Sequence, residues 1–439
     1  MRDALHDALL AGPLTSRELQ ARLGLSQPTV SRLLRASGAS IATLGAGRAT
    51  RYGLRRALSG LGDTIAVHRV LPQGQVSLLG RLQVLHGGYG FENLEPHGHS
   101  GFFDSLPWFI ADMRPQGFLG RAFAQRVASL GLPERLADWS DDHVLIALAR
   151  LGVDAPGNLL LGDAALQVWS SELPVLLPPN ARTARYPELA VAALSGEVPG
   201  SSAGGEQPKF TAILAGEPPL HVIVKFSGDL ATEVGRRWGD LLIAEHHALT
   251  VMRAAGQPAA VTELLFAAGR VFLQVERFDR QGLRGRRGMI SLGAFDDQFV
   301  GRRQRWLDTA QALARQQLLS ETGVRQVAWQ QAYAELIANT DRHFGNLSLG
   351  FEGTWPATTL PAYDMLPMRD APKSDGDVTL QPFLPALPAG VDAGLLSSAL
   401  AAAGTFWAAV AADARVSAEY RAAANERHQA VLALTALVA

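Results

Sequence analysis

Cysteine is absent from this chain, and lysine nearly so. Without thiols there is no disulfide framework, no thiolate zinc site and no cysteine nucleophile. Positive charge is written almost wholly as arginine: of 40 basic residues only Lys209, Lys225 and Lys373 are lysines. A sequence of that kind keeps lysine where a compact, flexible ammonium is needed. No uninterrupted apolar run approaches the ~20 residues that span a bilayer. The first seven residues carry two acids and lack the apolar stretch of a signal peptide. A soluble cytoplasmic protein is the expectation.

What is present is ordinary in bulk and uneven in detail. At 439 residues the chain exceeds what one core organises, so two or three domains are expected. Net charge is −1, yet residues 1–56 hold nine arginines against Asp3, Asp7 and Glu18. An excess of six positive charges at one end points to nucleic acid there.

Residues 1–57 read as a small helical unit with a β-wing. Thr15 and Glu18 have the spacing of a capping box, opening a short helix that Gly24 breaks. Ser26 is placed to cap a second helix with Pro28 in its first turn. Val30, Leu33 and Leu34 form the apolar face of that helix, while Gln27, Thr29, Ser31, Arg32 and Arg35 form the polar one. Two short strands around a Gly/Arg tip follow, bearing Arg48 and Arg51. Helix, tight turn, polar helix and basic wing resemble the winged helix-turn-helix family. The second helix would then enter a major groove, with Gln27, Thr29 and Arg32 facing bases and Arg48 and Arg51 near phosphates. A protein-interaction or dimerisation unit is the alternative.

Strands are expected at Thr64–Val70 and Val76–Leu85, and a helix at Asp141–Leu151. The intervening His/Gly loop, with His86, His97 and His99, lacks ligand spacing and reads as a solvated loop.

The dense motifs lie between 190 and 370. Ser201-Ser202-Ala203-Gly204-Gly205-Glu206-Gln207-Pro208-Lys209 is a small-residue loop whose backbone can approach an anion. The buried-type strand His221–Phe226 carries Lys225 near its end, where an ammonium needs a partner. Glu245, on the next helix from about Trp238 to Ala255, is the candidate partner; an exposed surface acid is the alternative. The strand Val271–Val275 runs into Glu276-Arg277-Phe278-Asp279, the form of an adenine-binding hinge. Asp341 stands five residues before Asn346, the spacing of a kinase catalytic loop, and of six asparagines only Asn346 has this relation. Asp364 follows an apolar approach, where a metal-binding aspartate belongs. Asn346 and Asp364 with phosphate oxygens would satisfy Mg2+. His343 reads as a support for Asp341 or as packing against the metal-binding strand.

The segments Ser-Ser-Ala-Gly-Gly-Glu-Gln-Pro-Lys-Phe, Val-Glu-Arg-Phe-Asp-Arg and Asn-Thr-Asp-Arg-His-Phe-Gly-Asn resemble the HipA-like serine/threonine kinases, toxins of bacterial toxin–antitoxin systems. With a helix-turn-helix fused in front, the chain is similar to the HipH (YjjJ) branch. The resemblance implies an α+β fold: a bilobal protein-kinase-like body, distantly related to phosphoinositide kinases, behind an N-terminal winged helix-turn-helix. It implies domains at 1–57, 63–190 (the family's N-terminal subdomain), 191–280 (N-lobe and hinge) and 281–439 (helical C-lobe). It further implies ATP and Mg2+ as cofactors. Ser202 to Gly205, Lys209, Lys225 and His343 would lie on the nucleotide side, with Glu276 and Phe278 bonding adenine through their backbone and Asp279 facing ribose. Asp341 would be the catalytic base, Asn346 and Asp364 the metal ligands, and Ser201, or Ser202 beside it, the autophosphorylated residue. Family substrates are aminoacyl-tRNA synthetases, so arrest of translation is implied. The family's usual partner is a separate DNA-binding antitoxin, whereas here a DNA-binding module is expected on the same chain. Two other functions fit the motifs: a transcriptional regulator whose body senses a nucleotide, and a small-molecule kinase.

Overall fold

The computed structural model describes residues 2–45, 47–95, 98, 100–195 and 207–438, apart from the side chain of Arg48. Ser201, Ser202, Ala203, Gly204 and Gly205 lie outside these residues. Two compact units emerge, one of residues 1–115 and 124–173, the other of 116–123 and 174–439.

The first unit begins with α1 (Arg2–Leu9), β1 (Leu14–Thr15), α2 (Ser16–Leu23), α3 (Gln27–Ser37), β2 (Ile41–Leu44) and β3 (Arg51–Leu54). The three strands form one antiparallel sheet in the order β1-β3-β2. The expected capping box at Thr15 and Glu18 is present, and Gly24 ends α2 in a left-handed conformation that a β-carbon would disfavour. Ser26 departs from expectation: its hydroxyl pairs with that of Thr29 (3.0 Å) instead of accepting a helix N–H. Leu5, Leu9, Leu19, Val30, Ile41 and Leu54 make the core.

Next come β4 (Thr64–Val70), β5 (Val76–Leu85), β6 (Gly88–Asn93) and β7 (Gly101–Phe103), the helices α4 (Trp108–Ala111), α5 (Gly117–Arg126, whose first seven residues belong to the second unit) and α6 (Asp141–Leu151), then β8 (Leu159–Leu161) and α7 (Gly162–Ser171). The strands form a five-stranded sheet, β7-β6-β5-β4-β8. The boundary expected near residue 57 is bridged by tight contacts. Arg56 grips Asp142 through two bonds of 2.6 and 2.8 Å, and the Tyr89 hydroxyl donates to the same carboxylate at 2.7 Å. Ala42, Leu44 and Leu85 share one buried cluster. Gly87 lies so close to the backbone of Gly12 that a β-carbon would come within 2.6 Å of its Cα.

In the second unit α8 (Arg182–Ser195) lies against an antiparallel sheet, β11-β12-β10-β9, built from β9 (Lys209–Leu214), β10 (Leu220–Phe226), β11 (Thr262–Ala267) and β12 (Arg270–Glu276). Tyr186, Phe210, Phe226 and Phe272 fill the space between them with ring centroids 5.4–6.0 Å apart. Each such buried ring contributes about 1.5–3 kcal/mol. Helix α9 (Glu233–Ala254) covers the other face, starting five residues before the expected Trp238. Short ribbons β13 (Arg280–Gln281) and β14 (Gly285–Arg286) follow.

The helical part holds β15 (Ile290–Ser291), α10 (Leu292–Phe299), α11 (Trp306–Arg315), α12 (Glu321–Leu336), β16 (Ser348–Gly350), β17 (Thr358–Thr359), α13 (Ala393–Ala412) and α14 (Ala418–Val438). Its core centres on Trp329 stacked on Tyr333 (5.0 Å, 21°), with Phe406 and Trp407. Helix α13 is long and apolar enough by length and composition to cross a membrane. Its Leu396, Leu400, Phe406 and Trp407 are buried in this core.

Candidate active site

The site is built where four segments of the second unit converge. Lys225 lies on β10 opposite Lys209 of β9. Its ammonium is 5% exposed and makes three hydrogen bonds, two to Glu245 (2.5 and 2.7 Å) and one to Asp364 Oδ1. Glu245, on α9, is fully buried, so the reading of it as a surface acid fails. An ammonium has three N–H donors, and all three are engaged.

Lys225 bonds two carboxylates at once, and Lys209, opposite it on β9, adds a second positive charge to their surroundings. Burial alone would depress the Lys225 pKa, but Asp364 and Glu245 together raise it above the ordinary lysine value. Burial likewise pushes Glu245 up, against the pull of Lys225. Asp364 goes the other way: against the effect of burial, the Lys225 and Lys209 ammoniums hold its carboxyl down to about 2. Asp364 is also the more accessible of the two acids.

The loop after α12 supplies the second half. Ala338 takes a left-handed φ of 61°, and the chain turns sharply into Asn339. Asn339 is fully buried and joins the Asp341 loop to the Asp364 segment. Its Oδ1 accepts the Asp341 N–H at 3.0 Å, while its Nδ2 donates to the Asp364 carbonyl at 3.4 Å. Asn346 donates to the Asp341 carbonyl at 2.9 Å and lies 3.5 Å from Asp341 Oδ2. His343 Nδ1 accepts the Gly345 N–H at 3.0 Å, which puts the proton of the neutral ring on Nε2, 4.0 Å from Asp341 Oδ2. Asn339 thus ties the loop of Asp341 and Asn346 to the Asp364 backbone.

The donor set fits a hard divalent cation. Asn346 Oδ1 and Asp364 Oδ2 accept no hydrogen bond from any described residue, and one carboxylate plus one amide oxygen is a sufficient protein share for Mg2+ when phosphate and water complete the shell. Among the described residues no cluster of three or more His, Cys, Asp or Glu offers a cage built from protein alone.

The hinge segment divides. Glu276 and Arg277 commit their N–H groups to Val261 and His221 carbonyls, both at 2.9 Å, whereas the Phe278 N–H donates to no described residue. The Phe278 ring lies 5.8 Å from that of Tyr363. Asp279, the residue expected at ribose, is 4% exposed, and its carboxylate takes two 3.0 Å bonds from Arg277 and one of 2.6 Å from Arg280. A carboxylate between two arginines in the run Glu-Arg-Phe-Asp-Arg was legible as an alternative.

Sequence reasoning assigned no role to Asn339 or Tyr363. The Tyr363 hydroxyl donates to the Gly345 carbonyl at 2.6 Å and pairs with Ser348 Oγ at 2.7 Å, bracing the loop that carries Asn346. Lys373 belongs elsewhere, in an exposed pair with Asp377 (2.7 Å). In the first unit, Gln27, Arg32, Arg35 and Arg51 are exposed, Thr29 and Ser31 partly so.

The model of the YjjJ-like toxin middle domain matches residues 61–170, and that of the HipA-like C-terminal domain matches residues 201–432. Toxin YjjJ of Escherichia coli (strain K12) is 38% identical over 427 residues, covering 96% of each chain. Among solved structures, HipA in the Shewanella oneidensis MR-1 complex of HipA, HipB and operator DNA shares the fold, with a TM-score of 0.54 over 84% of this chain and 96% of that one at 14% identity. The Helicobacter pylori proinflammatory kinase CtkA overlaps 54% of this chain and 93% of its own at 12% identity and a TM-score of 0.37. The chain belongs to the HipA-like toxin family, in its YjjJ-like branch.

Proposed function

We propose that this protein is an ATP- and Mg2+-dependent serine/threonine protein kinase of HipA type with a fused DNA-binding domain. The observation that carries the reading is the buried Lys225, held between Glu245 and Asp364 with Asp341 and Asn346 alongside. No structural role requires an ammonium and two carboxylates to be desolvated together, since a well-packed apolar cluster would be at least as stable.

In this reading the Lys225–Asp364 bond stands in for the nucleotide. All three lysine donors are engaged, so contact with ATP phosphates requires Lys225 to release Asp364 while keeping Glu245. Asp364 Oδ2 and Asn346 Oδ1 would hold Mg2+, which when bound neutralises charge on the transferring phosphoryl group. The Phe278 N–H and the Glu276 carbonyl would take the adenine edge. Asp341 orients the acceptor hydroxyl and receives its proton, with His343 Nε2–H beside it. Ser201 or Ser202 is the proposed site of autophosphorylation, and an aminoacyl-tRNA synthetase the proposed external substrate.

The N-terminal unit is proposed to bind DNA through α3, whose Gln27, Arg32 and Arg35 are exposed. Its sheet is anchored to the middle domain through Leu44 and Arg56, so both would engage DNA as one piece. Incubation with ATP and Mg2+ followed by intact-mass measurement tests the catalytic claim. A gain of one phosphoryl mass by wild type, absent in Asp341→Ala, is expected; labelling of both to the same extent would sink it.

A further inference from the structure

A cavity of about 170 Å3 lies between the loop after α10 and one face of α11, away from the lysine cluster. Arg302, Gln304, Asp308, Gln311 and Arg315 supply its polar lining. The arginines of this region fall into two classes. Arg303 is paired with Asp297, and Arg305 with Asp308 at 2.7 and 2.9 Å, so the nearby acids are already taken. Arg302 and Arg315, the two that line the cavity, have no side-chain hydrogen bond or ion pair with any described residue. The same holds for the amides of Gln304 and Gln311.

The loop that presents Arg302 is rigidly built. The fully buried Asp296 accepts the N–H groups of Arg302 and Arg303, both at 2.9 Å, and the Thr309 hydroxyl. Its own carbonyl takes the N–H groups of Val300 and Gly301 at 2.8 and 2.6 Å. Arg303 is held at a φ of +39°, a conformation that costs a non-glycine residue free energy. At the far end Gln316 donates to the Phe299 carbonyl at 3.0 Å. Trp306, which opens α11, donates its indole N–H to the His343 carbonyl at 3.3 Å, linking this wall to the loop of Asp341.

We propose that this cavity is a phosphate-binding pocket that takes the dianionic group of a phosphomonoester. Two unneutralised guanidinium forks carry two positive charges, which a phosphomonoester dianion matches and a single carboxylate or phosphodiester does not. The flanking glutamine amides add neutral donors for the remaining oxygens. The phosphomonoester is carried either by a phosphorylated side chain of a protein or by a free phosphorylated metabolite.

The assignment is independent of the proposed activity, because its test uses neither ATP nor phosphoryl transfer. Inorganic phosphate is titrated into the full-length protein by calorimetry at fixed ionic strength, on wild type, Arg302→Ala/Arg315→Ala and the exposed control Arg236→Ala. Loss of each arginine should weaken binding about tenfold, with the control unchanged. Both arginines are exposed, so melting curves without phosphate should coincide with wild type. A phosphoserine peptide and glucose 6-phosphate then identify the source, the tighter binder being the natural class. Phosphate affinity that survives in the double variant would overturn the assignment, as would tighter binding of a short oligonucleotide than of either phosphomonoester.

Discussion

Replacing Lys225 by methionine should destabilise the second unit far more than removing Lys225 and Glu245 together. Lys225 and Glu245 are 5% and 0% exposed, and among the described residues no other cation is bonded to the Glu245 or Asp364 carboxylate. Taking away the ammonium strands a desolvated glutamate, a change that costs about 3–5 kcal/mol. Asp364 loses less, because its side chain is 29% exposed and water can reach it. At roughly 2–4 °C per kcal/mol for a unit of this size, the melting temperature should fall by roughly 6–20 °C. In Lys225→Met/Glu245→Leu no buried charge is left unpaired on these two positions, and most of that loss should be recovered. Tryptophan fluorescence at one scan rate reads the transition, since Trp238, Trp306, Trp329, Trp355 and Trp407 all lie in this unit. A single variant that melts with wild type, or a double variant no more stable than the single, would refute the reasoning. Neither variant should transfer phosphate.

Acid should probe the same cluster from the other side. Asp364 titrates at about 2 when folded, below its unfolded value of about 3.9. Its contribution to stability is therefore fully present above that unfolded value and is lost as the pH falls through about 2; Asp364→Asn should flatten this limb of a stability–pH curve, and an unchanged limb would contradict the assignment. Arg56→Ala removes two bonds to Asp142 and should lower hydrogen-exchange protection across residues 1–57 by about 1–3 kcal/mol; unaltered protection would mean that the junction is held elsewhere. Gly87→Ala places a β-carbon against Gly12 at a backbone φ of +73° and should cost about 1–3 kcal/mol on thermal melting. A neutral outcome there would show that the Gly12 loop yields.

Much of the site was legible because its chemistry is local in sequence. The five-residue interval from Asp341 to Asn346 spans one turn, and the turn sets their 2.9 Å contact. Lys225 was marked by its position at the end of an apolar strand, which demanded a partner, and Glu245 answers it twenty residues on. Contacts closed by long chain separation left no such mark. Asp364 meets Lys225 across 139 residues, and Arg56 meets Asp142 across 86. No period or spacing encodes those distances, so the docking of the N-terminal unit onto the middle sheet came only with the fold. The bonds of Asp279 to Arg277 and Arg280 on either side of it were also not foreseen, because the acid was read only toward a ligand.

In the proposed function Asp341 serves a phosphoryl-transfer site built around Lys225. The most direct test compares wild type with Asp341→Ala, both incubated with ATP and Mg2+ and weighed intact, with peptide mapping across Ser201 and Ser202. Wild type should gain a phosphoryl mass on one of these serines, and the variant should lose the reaction by about 10²–10⁴-fold in rate while melting as wild type does. Equal phosphorylation of both proteins would contradict the account.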